Sequence, residues 1–379
     1  MGMTAKTRIR DIVRREERAG RCAVAPTSSD ERQMNRLVEH GELLRPFPRL
    51  FASPEHWKEL DAASQHANIV RALGKLHPDW IFCDVSAAVI HGLRPSYELL
   101  DKVHVISSAS PRYDAKPRVV KHEIKNPEEV SSQGVRVTSI ARTATDCMRR
   151  LSFADGLAIA DAACSHLNWS AQQLEEHVAS LARAKLTNGI EHALVTASYA
   201  DGRAESGGES IARASFVQLG YQMPELQVYI PNPFDSDRYS RPDFLWLGAE
   251  GGPVDGELDG KKKYHLRRPR RTNGRLTTSE FDAIYDEKMR DSQVSVYSIR
   301  SMRFCSAHGE NPDQLEPLLQ AYGIPMVAPR CDEPERNQHD GLDQQVGCPN
   351  YKVLTVDGSH RLGLRELSDD ELRYIRRRR

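Results

Sequence analysis

Residues 241–261 read Arg-Pro-Asp-Phe-Leu-Trp-Leu, Gly-Ala-Glu-Gly-Gly-Pro, Val-Asp-Gly-Glu-Leu-Asp-Gly-Lys. Two runs of strand-forming residues flank a cluster of turn formers, the pattern of a β-hairpin. Pairing about the turn sets Leu247 against Val254. Asp243 then comes opposite Leu258, within one residue of both Glu257 and Asp259. Side chains two apart on a strand share a face, so Asp255, Glu257, Asp259 and Lys261 point one way as far as the strand stays regular, and Gly260 is expected to bend it. Carboxylates this close repel one another, and a hard divalent cation held by oxygen ligands relieves the repulsion. The hairpin is therefore read as a site for Mg²⁺ (or Mn²⁺); a solvated acidic hairpin end beside a basic run is the alternative.

The setting extends the motif. Glu209 opens a helical stretch, Ser210 to Leu219, that stops at Gly220, and Leu226, Val228 and Ile230 alternate as in a strand. A helix over 279–291 and a strand over 294–299 are expected beyond the hairpin. This order, with Pro242-Asp243 and then Glu257-Leu-Asp259-Gly-Lys261, resembles the PD-(D/E)xK nuclease superfamily, in particular its branch similar to very-short-patch-repair endonucleases, over residues 205–303. The resemblance implies an αβββαβ core, with Asp243 and Glu257 as the two motif acids and Glu209 completing the metal set. It also implies polar contributions from Glu287, Lys288 and Arg290. Asp259 holds the slot of the motif lysine, as in the E-x-D-G form of that branch; a second register reads Asp259-Gly-Lys261 as a literal D-x-K. The expected catalytic set is Asp243, Glu257, Asp259 and Lys261, and the expected metal ligands are Glu209, Asp243, Glu257 and Asp259.

With 379 residues the chain has room for two or three cores. Its 53 basic and 53 acidic residues cancel, so attraction to nucleic acid must come from local asymmetry. Residues 261–271 supply one, with seven Lys or Arg and no acid, and make Lys262, Lys263, Arg267 and Arg268 candidate phosphate contacts. The absence of any long apolar run leads to the expectation of a cytoplasmic protein with no membrane partner. The seven cysteines are scattered, never spaced C-x-x-C, and are expected to be reduced thiols. Cys331, His339, Cys348 and His360 are too irregularly spaced to be read as a zinc set.

At the front, helix formers over 7–17 place Ile9, Ile12 and Val13 on one side. A second helix runs from Ser29 as N-cap through Met34, Leu37 and Val38 to His40-Gly41. Residues 42–52 then alternate apolar and basic groups around prolines and resemble the wing of a winged helix-turn-helix. That likeness makes Arg32, Gln33, Asn35 and Arg36 candidate base readers and Arg45 and Arg49 candidate phosphate contacts. A connecting helix over 55–75 is expected next, then a short helix from Ser86 to Gly92, a strand from Lys102 to Ile106, and a helix containing Ile140, Ala144, Cys147 and Leu151. These pieces, "SAAVIHGL", "VHVI", "TSIARTATDCMRR" and "ADAAC", with the wing before them, resemble AbiEi-type antitoxins of type IV toxin–antitoxin systems over residues 5–165. The likeness implies DNA binding by the front domain and a toxin partner. No Gly-Ser followed by an Asp-x-Asp pair is present, so nucleotidyl transfer is not assigned, and His91, Arg142 and Asp146 are read as helix-end and ion-pair groups.

The expectation is a multidomain chain of mixed α+β and α/β class. It comprises a winged helix-turn-helix over 1–60, a small α/β middle domain over 61–200, a restriction-endonuclease-like αβββαβ core over 201–329, and a flexible basic tail over 330–379. Residues 200–208 are the expected linker, and Ser368 to Glu371 is a capping box opening a terminal helix. The expected activity is Mg²⁺-dependent cleavage of DNA. The alternative is a DNA-binding regulator whose nuclease-like domain is only a scaffold.

Overall fold

The computed structural model describes residues 5–106, 118–184, 186–259, 292–336, 350–357, 359 and 361–377. The chain is mixed α/β and divides by contact into two compact units, Met1–Arg150 and Leu151–Arg379.

The first unit begins with α1 (Ala5–Arg18), whose Ile9 and Val13 are buried as their spacing predicts. They pack on Met34 and Leu37 of α2 (Ser28–Glu39) and on Phe51 of β3 (Leu50–Ala52). The N-cap of α2 is Thr27 rather than Ser29. Its hydroxyl accepts the Asp30 N–H at 3.2 Å and donates to the Asp30 carboxylate at 2.7 Å. With β1 (Ala23–Val24) and β2 (Leu44–Phe47) the strands form a sheet in the order β1-β3-β2, and Arg49 at φ 64° turns the β2–β3 hairpin. The expected helix-turn-helix pair differs here. A single helix, α2, lies between β1 and β2, and residues 19–27 separate it from α1 where a turn of ~3–4 residues would join such a pair. The expected helix over 55–75 is two, α3 (Pro54–Glu59) and α4 (Ala62–Leu76), because Asp61 caps the second by accepting the Ser64 N–H at 2.8 Å.

A five-stranded sheet follows in the order β6-β5-β4-β8-β7, built from β4 (Ile81–Phe82), β5 (Val103–Ile106), β6 (Val119–His122), β7 (Glu129–Ser132) and β8 (Val135–Thr138). Val103 and Val105 turn into a core with Val70 and Leu73 of α4, so His104 between them points to the other face. Helix α5 (Asp84–His91) ends at the left-handed Gly92 as expected, and α6 (Ile140–Met148) is capped by Ser139.

In the second unit, α7 (Phe153–Leu167), α8 (Ala171–Arg183, with Ser170 in a reciprocal capping box) and α9 (Ile190–Ser198) lead to residues 200–208. This stretch is not a loose linker. Asp201, Arg203 and Ala204 are buried, Arg203 pairs with Asp201 at 2.8 Å and Glu225 at 3.3 Å, and Asp161 of α7 accepts the Asp201 N–H at 2.7 Å. Its polar, glycine-bearing composition suggests a boundary because two of the acids that hold it, Asp161 and Glu225, lie outside the stretch.

Helix α10 (Gly207–Gln218) covers a four-stranded sheet ordered β14-β13-β12-β9. The strands are β9 (Glu225–Leu226), β12 (Phe244–Trp246), β13 (Val254–Asp259) and β14 (Arg300–Cys305). The first three in chain order pair antiparallel and β14 joins β13 in parallel. Phe216 of α10 meets Phe244 and Trp246 edge-on at centroid distances of 5.4 and 5.2 Å. The sheet leaves room for these rings only because residue 256 is glycine: a Cβ there would lie 2.9 Å from Trp246 and 3.1 Å from Phe244.

Three expectations change in this unit. The strand through Leu226, Val228 and Ile230 is broken at Gln227, at φ 53°, and continues as β10 (Ile230–Asn232), which pairs with β11 (Asp235–Ser240). The strand expected over 294–299 is the end of a helical segment followed by a hydrogen-bonded turn. Pairing starts at Arg300, in register with Val254, which buries Met302 and Phe304 against the α10 core. The tail is packed where it is described: β15 (Lys352–Val356) and β16 (Leu362–Glu366) form a hairpin, and Val353, Leu367 and Ile375 bury against Tyr229. Ser368 and Glu371 do form the expected capping box, Ser368 N–H to Glu371 at 2.9 Å and Glu371 N–H to Ser368 at 3.3 Å.

Candidate functional site

The β12–β13 hairpin forms, but with its register one residue from that expected: Trp246, not Leu247, faces Val254, and Phe244 faces Gly256. The reason is burial. This register turns Phe244, Trp246, Val254 and Leu258 together into the α10 core, whereas the expected one would split them between faces. Continued by one pair, it sets Asp243 beside Glu257, on the face away from that core. The Asp243 carboxylate accepts the Leu258 N–H at 2.9 Å, so it is held by the backbone of the strand that carries Glu257. Parallel pairing places Arg303 of β14 in register with Glu257 and Cys305 with Asp259.

Glu209 reaches this end of the sheet from the first turn of α10. It is 6% exposed and accepts three hydrogen bonds, from Ser206 Oγ at 2.7 Å, Glu205 N–H at 2.8 Å and Gln227 Nε2 at 3.1 Å. Burial, and next the charge of Asp243, push its pKa up to about 7. Glu209 and Asp243 therefore share one electrostatic environment, as expected from sequence. Convergence is looser than expected. Among the described residues the acids Glu209, Asp243, Glu257 and Asp259 do not bring three ligand atoms within 4.8 Å of one another. Lys261, Lys262, Lys263, Arg267, Arg268, Glu287, Lys288 and Arg290 lie outside the described residues, as do His339, Cys348 and His360.

In the first unit, Arg32 and Arg36 project from the exposed side of α2 and Arg45 and Arg49 from the β2–β3 hairpin, with Gln33 half-buried. Arg45 lies 3.5 Å from Asn35 Oδ1. Other basic groups nearby are neutralised, Arg8 by Asp30 and Lys6 and Arg10 by Glu42. His91, Arg142 and Asp146 do not form a reactive cluster. His91 Nε2 contacts the Thr138 carbonyl at 2.7 Å, and Arg142 and Asp146 make a buried ion pair at 2.8 Å.

The set of ligand atoms that does converge was not expected. Asp84 at the start of α5, His104 on β5 and His122 at the end of β6 place one carboxylate oxygen and two imidazole nitrogens within 4.8 Å of one another. His104 Nδ1 lies 2.8 Å from His122 Nε2, and Asp84 Oδ2 lies 3.7 and 4.0 Å from them. Burial, with His122 as the next cause, pushes the His104 pKa down to about 3, and burial lowers that of His122. Both rings are neutral at pH 7. The sequence carries one hint, a histidine in the outward slot of a valine-lined strand, but only the parallel pairing of β5 and β6 brings the two rings together.

Six described cysteines, Cys22, Cys83, Cys147, Cys164, Cys305 and Cys331, are free thiols. No helix among the described residues is long and apolar enough to cross a membrane. Comparison with protein-family models, with curated proteins and with solved structures returns no match.

Proposed function

We propose that the chain is a DNA-binding protein whose second unit cleaves phosphodiesters with Mg²⁺ (or Mn²⁺), in the manner of the PD-(D/E)xK nucleases. One observation carries the reading: a helix packs on a sheet ordered β9-β12-β13-β14 with only the last pair parallel, and Glu209, Asp243 and Glu257 lie at one end of it. The described part of this order, α10 followed by β9, β12, β13 and a parallel β14, is compatible with an αβββαβ core whose second helix, expected over 279–291, lies outside the described residues. Glu209, Asp243, Glu257 and Asp259 would hold the metal, which lowers the pKa of an attacking water and offsets charge on the phosphate. The chain's own contribution is positional. The Leu258 N–H holds Asp243, and Glu209 releases its proton near neutral pH so that its carboxylate can serve as a ligand. In the first unit, exposed Arg45 and Arg49 would contact phosphate, and exposed Arg32 and Arg36 would reach the bases.

Asp259 in the lysine slot favours a second reading, in which the fold is kept and the chemistry lost, leaving a DNA-binding regulator or antitoxin with a toxin partner. Supercoiled plasmid separates the two. Mg²⁺-dependent nicking by the wild type, reduced roughly a hundredfold or more in Glu257→Ala and Asp243→Asn, is the expected result. Specific binding to promoter DNA with no cleavage under Mg²⁺ or Mn²⁺ overturns it in favour of the regulator.

A further inference from the structure

We propose that Asp84, His104 and His122 bind one divalent cation of the Zn²⁺ class, at a site separate from the acids of the hairpin, and that Arg150 occupies this site when the ion is absent.

The distances carry the first half. A triangle with sides of 2.8, 3.7 and 4.0 Å has a centre about 2.1 Å from every corner, the length of a Zn–N or Zn–O bond. Two imidazoles and one carboxylate are a borderline donor set that suits Zn²⁺, Co²⁺ or Fe²⁺ better than Mg²⁺, and three protein ligands leave a position for water. The ligands stand on regular elements. His104 and His122 retain 17% and 12% of their side-chain surface, buried enough to be held and open enough for an ion to enter. Asp84 adopts φ 53°, a left-handed backbone that is strained in a non-glycine residue. The strained conformation accompanies an aimed carboxylate: Oδ1 takes the Val85 N–H at 2.6 Å and the Cys147 thiol at 3.6 Å, and Oδ2 turns to the histidines.

The second half follows from hydrogen-bond bookkeeping. Arg150 pairs with Asp84 Oδ2 and donates from Nη1 to His122 Nδ1 at 2.6 Å. A neutral His122 that accepts at Nδ1 must carry its proton on Nε2, the atom that would bind metal. Arg150 therefore both neutralises Asp84 and selects the tautomer that closes the site. Arg150 is 36% exposed at its side chain and can swing outward when a cation enters.

The test uses the full chain, stripped with chelator and titrated with Co²⁺ by visible absorption, with Zn²⁺ as competitor. In excess Mg²⁺, supplied to occupy the carboxylates of the hairpin, one Co²⁺ per chain with the spectrum of imidazole-ligated cobalt is expected. Affinity should be weakened roughly a hundredfold in His104→Ala and His122→Ala, and the signal should be unchanged in Asp243→Asn and Glu257→Ala. Arg150→Ala should bind roughly tenfold more tightly, because a like charge and the wrong tautomer are both removed. Absence of stoichiometric binding, or binding indifferent to both histidines, overturns the site. If the histidine variants do not fold, Arg150→Ala decides, and affinity no tighter than wild type sinks the proposal. The reading is independent of DNA cleavage, since the spectrum persists or disappears whatever the hairpin acids do.

Discussion

Glu209 shows how one residue serves both fold and site. Its carboxylate closes the start of α10 with Ser206, Glu205 and Gln227, yet burial and Asp243 hold its pKa near 7, above the ordinary 4.5. The sign follows from proton counting. Between pH 4.5 and 7 the folded state holds a proton that the unfolded state has released, so stability falls as pH rises through this window, by roughly 3 kcal/mol in all. Glu209→Gln, which has no charge to lose, should therefore gain on the wild type as pH rises. The two should show similar denaturant midpoints near pH 4.5 and differ by up to about that amount at pH 8. Chemical denaturation at a series of pH values measures this, and a pH-independent difference would place the titrating group elsewhere.

At the scale of elements, the second unit depends on charges buried between α7, α10 and residues 200–204. Arg213 of α10 pairs with Asp161 of α7, donates to the Tyr199 carbonyl at 2.7 Å, and is 4% exposed, while Asp161 is fully buried. Removing one member of such a pair strands the other charge without water. Asp161→Ala should lower stability by about 3–5 kcal/mol, far beyond its lost packing, with Asp161→Ala/Arg213→Met recovering much of it. Urea denaturation of the two variants checks this. A loss under about 1 kcal/mol would mean that Arg213 finds another partner. The hairpin shows the same rule in apolar form. Trp246, not Leu247, faces Val254 because a strand register is settled by which side chains must be buried together.

At the scale of the whole molecule, zero formal net charge hides a local imbalance. The exposed Arg32, Arg36, Arg45 and Arg49 belong to the first unit, and the carboxylates with the raised Glu209 pKa to the second. If the first unit supplies the phosphate contacts, Arg45→Ala/Arg49→Ala should flatten the dependence of log affinity on log salt by roughly 1–2 units on duplex DNA of any sequence. Fluorescence anisotropy across a salt series reads the slope directly. An unchanged slope would shift the contacts to other basic groups, residues 261–271 among them.

Much of the local structure was legible in the chain: the apolar stripe of α1, the Ser368 cap, Gly92 as a stop, and the hairpin around Gly251 and Gly252. Each depends on residues close in sequence or on a periodicity of burial. What required the tertiary structure was every pairing between distant segments. The contacts of Asp161 and Glu225 that bury 200–204 in place of a linker, the start of β14 at Arg300, and the meeting of Asp84, His104 and His122 all depend on which elements pack together. Side-chain chemistry is carried by single residues, but convergence belongs to the packing of sheets and helices, and no stretch of sequence encodes that alone.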